Sequence, residues 1–312
     1  MSDGRHTEQT SNVAVTKAVV LVAGFGTRLL PAAKAQPKEM LPVGRKPCVQ
    51  YVVEEMKLAG IREVLFVTGR KKTSIEDFFD SDPELERRLA ESGNDDLLAE
   101  VTWGEDDDIR FYFTRQAAQR GTADAVRLAE QWVGDQPFVV AFGDTIVHSA
   151  ERQNLLRRLI ASHLASGATC TFAVEEVSPE DVYKYGVVEP TAGLDESNPQ
   201  EFPIASLVEK PDRRHAPSNL AIVPRYVFQP AIFDAIRLTL PGKSGEIWLT
   251  DSIGILLRRG RPVRCVRLTS SERRYDIGNF ETYFKAFIDM ALADEKFGYL
   301  VRQYLEQRAL EL

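Results

Sequence analysis

Lys17-Ala18-Val19-Val20-Leu21-Val22-Ala23 runs directly into Gly24-Phe25-Gly26-Thr27-Arg28-Leu29-Leu30-Pro31, and this junction decides the fold. The first stretch is short, continuous and rich in β-branched residues, the pattern of a strand buried on both faces of a parallel sheet. The turn after it lacks side chains at Gly24 and Gly26, so backbone N–H groups can approach an anion closely. Arg28 adds positive charge, as does Lys38 in the following Pro37-Lys38-Glu39-Met40-Leu41-Pro42, and the stretch reads as a polyphosphate clamp. A dinucleotide site fits poorly. Leu29 stands where the third glycine belongs, and only the helical Glu54 and Glu55 stand in for the acid expected about 20 residues on. A Walker loop fails too, because Gly242-Lys243-Ser244 has Arg237 at the leading glycine position and no strand before it.

Strand and helix patterns alternate outward from this point. After Pro47, apolar Val49, Val52, Val53 and Met56 share one helical face, and Gly60 follows as a stop. Glu63 to Thr68 reads as a buried strand, Ser74 to Phe79 as a short helix, and the acidic stretch Asp82 to Asp108 as a surface excursion. Ile109, Phe111 and Phe113 alternate as in a strand. Thr122 to Trp132 reads as a helix, and Pro137 to Phe142 as a strand before Gly143-Asp144. The spacing is that of β-α-β units and predicts an α/β fold with a Rossmann-like, doubly wound, mixed but mainly parallel sheet. Beyond Ala150 a helix (Glu151 to Ser166) and a strand (Ala168 to Val174) precede shorter strand candidates at Gly186 to Glu189, Ile204 to Glu209 and Ala221 to Phe228. Asn279 to Ala293 and Phe297 to Leu310 read as closing helices.

The 312 residues are 44% hydrophobic and 27% charged, ordinary values for a folded chain. A net charge of -7 repels nucleic-acid polymers and anionic lipid at long range. No apolar run is long enough to span a membrane. Residues 1–16 are polar, without the apolar core of a signal peptide, and read as a flexible tail. Cys48, Cys170 and Cys265 have no metal-binding spacing and read as free thiols in a reducing cytoplasm. His6, His148, His163 and His215 form neither a triad nor a zinc spacing.

The stretch AVVLVAGFGTRLLPAAKAQPKEMLP resembles the opening of bacterial UTP:glucose-1-phosphate uridylyltransferases, members of the sugar-nucleotidyltransferase superfamily. The similarity continues through YVVEEMKLAGIREVLFVTGRKKTSIEDFFD, YGVVE, VEKP, PSNLAIVPRYVF, GEIWLTDSI and YDIGN, in the same order, over residues 17 to 290. It implies a nucleotidyltransferase domain at 17–290, with a nucleotide half (17–150), a sugar half (151–290) forming a sugar-side extension of the sheet, and a C-terminal helix at 291–312. It also implies the conversion of UTP and glucose 1-phosphate to UDP-glucose and pyrophosphate, with Mg²⁺ held by Asp144 and Asp276.

Within that resemblance, Arg28 and Lys38 neutralise the phosphates and Lys210 holds the sugar phosphate. Glu209 accepts hydrogen bonds from sugar hydroxyls, and Gly186 lets backbone approach the sugar ring. Ala23, Gly24, Gly26, Thr27, Gln116 and Gly121 line the nucleotide site, with Gln116 able both to donate to and to accept from a pyrimidine edge. A homodimer or homotetramer built through the terminal helices is implied as well. The chain departs from the family pattern at Gly121-Thr122-Ala123-Asp124-Ala125, where Gly-Leu-Gly-His-Ala is usual, at Ala33 for Thr and at Pro224 for Gly. These departures leave open another base, such as dTTP, or another hexose 1-phosphate. A catalytically weak regulatory paralogue is the reading from a different class.

Overall fold

The computed structural model describes residues 14–102, 109–149, 154–191, 200–242 and 245–311. The expected tail up to residue 13, the end of the acidic excursion (103–108), the start of the helix expected from Glu151 and the Lys243-Ser244 pair lie outside them.

In chain order the elements are β1 (Lys17–Leu21), a short ribbon of β2 (Pro42–Val43) and β3 (Lys46–Pro47), α1 (Cys48–Leu58), β4 (Glu63–Thr68) and α2 (Thr73–Phe79). Then come α3 (Pro83–Glu91), α4 (Asp95–Val101), β5 (Arg110–Arg115), α5 (Thr122–Arg127), α6 (Glu130–Val133), β6 (Phe138–Phe142) and β7 (Thr145–Ser149). The second half holds α7 (Leu155–Ser166), β8 (Cys170–Glu176), β9 (Gly186–Pro190), β10 (Glu201–Glu209), β11 (Leu220–Phe228), α8 (Ile232–Leu238) and α9 (Leu249–Arg258). β12 (Val263–Arg267), β13 (Glu272–Asp276), α10 (Phe280–Ala293) and α11 (Gly298–Ala309) complete it.

Among the described residues one sheet runs β5-β4-β1-β6-β11-β8-β12-β10-β9. Its first four strands are parallel, with β1 between β4 and β6. The expectation of a mainly parallel sheet holds in that half alone. β11 is antiparallel to both β6 and β8, and β10 to both β12 and β9, leaving β8–β12 as the parallel pair of the second half. β9 also meets β11 at Val187 and Ala221, which closes β11, β8, β12, β10 and β9 into a ring.

β1 shows why its sequence is apolar on both sides. Val19 packs into a core with α5, α8 and α9 residues such as Val126, Phe233 and Ile253, while Ala18 and Val20 pack into a second core with α1, α2 and α7. Successive strand residues point to opposite faces, so a strand covered by helices on both sides needs apolar residues throughout. In α1 the face Val49, Val52, Val53 and Met56 is fully buried, each side chain contributing about 1.5–3 kcal/mol. The helix stops where predicted: Gly60 has φ 89°, and the Ile61 N–H donates to Met56 O at 3.1 Å. Asn154 caps α7 by accepting from the Arg157 N–H at 2.9 Å, and Asn279 caps α10 by accepting from Thr282 at 3.1 Å.

The helix expected over Thr122 to Trp132 is two helices, because the N–H groups of Leu128 and Ala129 bond three residues back, to Ala125 and Val126. The acidic excursion contains α3 and α4, which bury none of their residues. Pro224 sits inside β11 where the pairing with β8 shifts register between Val223 and Tyr226, so its missing N–H falls at a bulge. All three cysteines are buried and unbridged.

Candidate active site

Three segments converge at the carboxyl edge of the parallel strands. The turn after β1 carries Gly24 and Gly26, the turn after β6 carries Asp144, and β13 ends in Asp276. β13 pairs antiparallel with β7, with Asp276 opposite Thr145, and the Ile277 N–H donates to Asp144 O at 2.9 Å. Two carboxylates far apart in sequence are thus set together, one in the turn before β7 and the other at the end of its partner β13.

Lys38, in a 3-10 turn (Lys38–Met40), places its Nζ against Asp144 Oδ2 in an ion pair. A Cβ added to Gly24 would stand 3.3 Å from the same Nζ, which puts the lysine directly over the Gly-rich turn. Gly26 has φ 67° and caps the 3-10 turn Thr27–Leu29 that presents Arg28. The Arg28 guanidinium reaches the other side of the cluster, 2.9 Å from where a Cβ on Gly278 would stand, and Asp276 Oδ1 accepts from the Gly278 N–H at 2.7 Å.

The electrostatics follow from crowding. Burial works against the Lys38 ammonium, yet the carboxylates of Asp144 and Glu39 outweigh it and hold its pKa above the usual lysine value. Burial would raise Asp144, but Lys38 more than offsets that and keeps it ionised below the usual carboxylate range. Asp276 goes the other way, raised by burial and then by the Asp144 charge. Its neighbour Arg274 packs 4.3 Å above the Tyr185 ring and pairs with Glu175 Oε1.

Behind the Asp144 turn lies a buried pair with no solvent access on the arginine. Arg225 Nε donates to Glu55 Oε2 at 2.8 Å, and its Nη2 donates to Thr145 O at 2.8 Å. The guanidinium therefore ties α1 and β11 to the residue after Asp144. Glu39 is likewise buried and accepts from Lys72 Nζ at 2.6 Å. Burial raises the Glu39 pKa despite the neighbouring lysines.

At the far end of the ring, Gly186 and Glu209 are direct partners in the β9–β10 register. A Cβ on Gly186 would stand 3.1 Å from Glu209 Oε2, and that oxygen accepts from Thr250 Oγ1 at 2.7 Å. Lys210 follows with φ 46°, its N–H donating to Tyr185 O at 3.0 Å. Its Nζ lies 4.2 Å from the centre of the Trp248 ring and 3.7 Å from Glu209 Oε1.

The loop after β5 lies over the end of β1, because Gln119 Nε2 donates to Ala23 O. Gly121 (φ 108°) is required here: a Cβ would fall 2.4 Å from Ile247 O. Gln116 is buried, and its Nε2 donates to Asp124 Oδ2 at 2.9 Å and Gly121 O at 3.3 Å, so its amide nitrogen is engaged within the protein.

The structure thus brings Gly24, Gly26, Arg28, Lys38, Asp144 and Asp276 into one cluster. Ala23, Gln116 and Gly121 stand beside it, and Gly186, Glu209 and Lys210 form a second group. Sequence reasoning missed Lys72, Arg225, Asp124 as a Gln116 partner, Trp248 and Thr250. Trp248 and Thr250 could have been found through their place in the GEIWLTDSI stretch, whereas the buried pairs left no local pattern.

A nucleotidyl transferase family model matches residues 17–292, and the chain belongs to that family. It is 43% identical over 281 residues to a protein of Methanocaldococcus jannaschii named putative UTP–glucose-1-phosphate uridylyltransferase, covering 88% of this chain and 93% of that one. Among solved structures, it is similar to a UTP-bound UGPase from Acinetobacter baumannii, with TM-score 0.85 and 35% identity over 94% of this chain and 99% of that one. A UDP-glucose pyrophosphorylase complexed with UDP-glucose aligns with TM-score 0.80 and 33% identity, over 90% and 100% of the two chains.

Proposed function

We propose that the chain joins UTP and glucose 1-phosphate into UDP-glucose and releases pyrophosphate. The observation that carries this reading is the Lys38–Asp144 pair set over the Gly-rich turn with Asp276 alongside. The sugar-phosphate oxygen forms a bond to the α-phosphorus of UTP, and the bond from that phosphorus to the bridging oxygen breaks, its electron pair leaving with pyrophosphate. Such a transfer needs positioning and charge neutralisation and no covalent nucleophile. Arg28 and Lys38 offset charge on the triphosphate and the departing pyrophosphate. Lys210 holds the sugar phosphate, and Glu209, oriented by Thr250, accepts from sugar hydroxyls beside Gly186. Ala23, Gly24, Gly26, Thr27, Gln116 and Gly121 frame the nucleotide.

Asp144 and Asp276 fit Mg²⁺, which takes one or two carboxylates and completes its shell with water and phosphate oxygens. The β7–β13 pairing brings the two carboxylates together as hard oxygen donors of the kind that cation accepts. When bound, Mg²⁺ supplies further neutralisation of the phosphates.

The same reading extends to organisation. The domain runs over 17–290, with a doubly wound nucleotide half to residue 150, a sugar half beyond it and a C-terminal segment from 291 that carries the end of α10 and then α11. A cytoplasmic location accords with three unbridged cysteines, and among the described residues no helix is long and apolar enough to cross a membrane. Homo-oligomerisation through α10 and α11 is supported by exposed Phe284, Ile288, Tyr299, Leu300 and Tyr304. Light scattering tests it, and a monomer mass at working concentration would rule it out. For the reaction, anion-exchange chromatography after incubation with UTP, glucose 1-phosphate and Mg²⁺ should show UDP-glucose, abolished by excess EDTA. No UDP-glucose from active-site-titrated protein would refute the assignment.

A further inference from the structure

Gln116 and Asp124 form a pair whose chemistry allows one orientation. The side-chain nitrogen of Gln116 faces Asp124 Oδ2 at 2.9 Å and Gly121 O at 3.3 Å. Both are acceptors that cannot donate when Asp124 is ionised, so the amide nitrogen must face them and the carbonyl oxygen must face away. Asp124 is 3% exposed, and its other oxygen, Oδ1, is held by Arg127 at 3.1 Å and Arg120 at 3.4 Å. Burial would raise the Asp124 pKa, but the Gln116 amide and the two arginines outweigh it and keep the carboxylate charged. The loop that carries Gln116 is tied to Ala23 O by Gln119, beside the Gly-rich turn.

We propose that Asp124 is a specificity-determining positioning residue, locking Gln116 so that it offers only a carbonyl oxygen to the base. This rests on the uridylyltransferase reading above. A locked acceptor matches the N3–H of a uracil ring and repels the N3 lone pair of cytosine, which would leave two acceptors face to face. It does not separate uracil from thymine, since both carry the same N–H.

The pairing predicts an unusual outcome for Asp124→Asn. The new side chain keeps its oxygen toward Arg127 and Arg120, which puts an NH₂ group opposite Gln116. Turning Gln116 over meets that group but sets the Gln116 oxygen against Gly121 O, so the two orientations come close in energy and the base meets NH₂ in part of the population, which suits cytosine. Asp124→Leu removes the lock without reversing it.

The test is kcat/KM for UTP and for CTP with glucose 1-phosphate, measured on wild type, Asp124→Asn and Asp124→Leu, with melting temperature alongside. The UTP-to-CTP ratio should fall roughly tenfold or more in both variants, furthest in Asp124→Asn, and mainly through KM. If Asp124→Leu does not fold, the near-isosteric Asp124→Asn alone decides. Lower melting temperature with an unchanged ratio would make Asp124 a structural residue and overturn the proposal. A wild type that does not use UTP would instead overturn the function on which it rests.

Discussion

Lys38 Nζ and Asp144 Oδ2 are in direct contact across 106 residues of sequence, and Asp276 is brought beside them by the β7–β13 pairing. The contact holds the ammonium over the turn where Gly24 and Gly26 expose the backbone. Lys38→Met and Asp144→Asn should each lower kcat about 10²–10³-fold, the scale of losing one charge-stabilising group. Steady-state kinetics on both variants checks this, and activity within threefold of wild type would remove the pair from the chemistry.

Lys210 rests on Trp248, 4.2 Å from the ring centre. A cation held over an aromatic face gains about 0.5–2 kcal/mol. Trp248→Leu should raise KM for glucose 1-phosphate roughly 3- to 10-fold and leave KM for UTP unchanged. A rise in both constants would place Trp248 outside the sugar-phosphate group.

Much of this was legible in the chain. The runs at Lys17, Glu63 and Pro137 show their strands because a strand buried on both faces must be apolar at every residue, and observed β4 (Glu63–Thr68) matches its predicted bounds. Gly24, Arg28, Lys38, Asp144 and Asp276 were visible because the motifs that carry them are local. The antiparallel ring was not, because β11 pairs with β6, β8 and β9 through register set in space. α8 and α9 went unread, and the Gln116–Asp124 pair is eight positions apart with each side chain ordinary by itself.

Arg225 and Glu55 lie 170 positions apart and form a buried pair. Removing the cation strands the Glu55 carboxylate, whose pKa burial already raises. Arg225→Met should destabilise by about 3–5 kcal/mol, and Arg225→Met with Glu55→Leu should recover much of that loss. Chemical denaturation of the three proteins measures it; additive losses would contradict the coupling.

His163 is buried in α7, with Nδ1 3.1 Å from Thr171 Oγ1 and Nε2 3.1 Å from Gln229 Nε2. Burial lowers its pKa from 6.5 to about 4. The unfolded chain therefore binds a proton that the folded chain refuses between pH 6.5 and 4. Stability falls as pH drops through that window, by up to about 3 kcal/mol. His163→Gln should flatten this part of the stability–pH curve, and an unaltered slope would contradict it.

The most direct measurement is pyrophosphate release with Mg²⁺, crossing UTP, dTTP, CTP, ATP and GTP against glucose, galactose, mannose and N-acetylglucosamine 1-phosphates. The structure predicts that UTP with glucose 1-phosphate dominates the grid. A dominant signal from another pair would contradict the substrate assignment while leaving nucleotidyl transfer intact, and no release from any pair would contradict the enzyme itself.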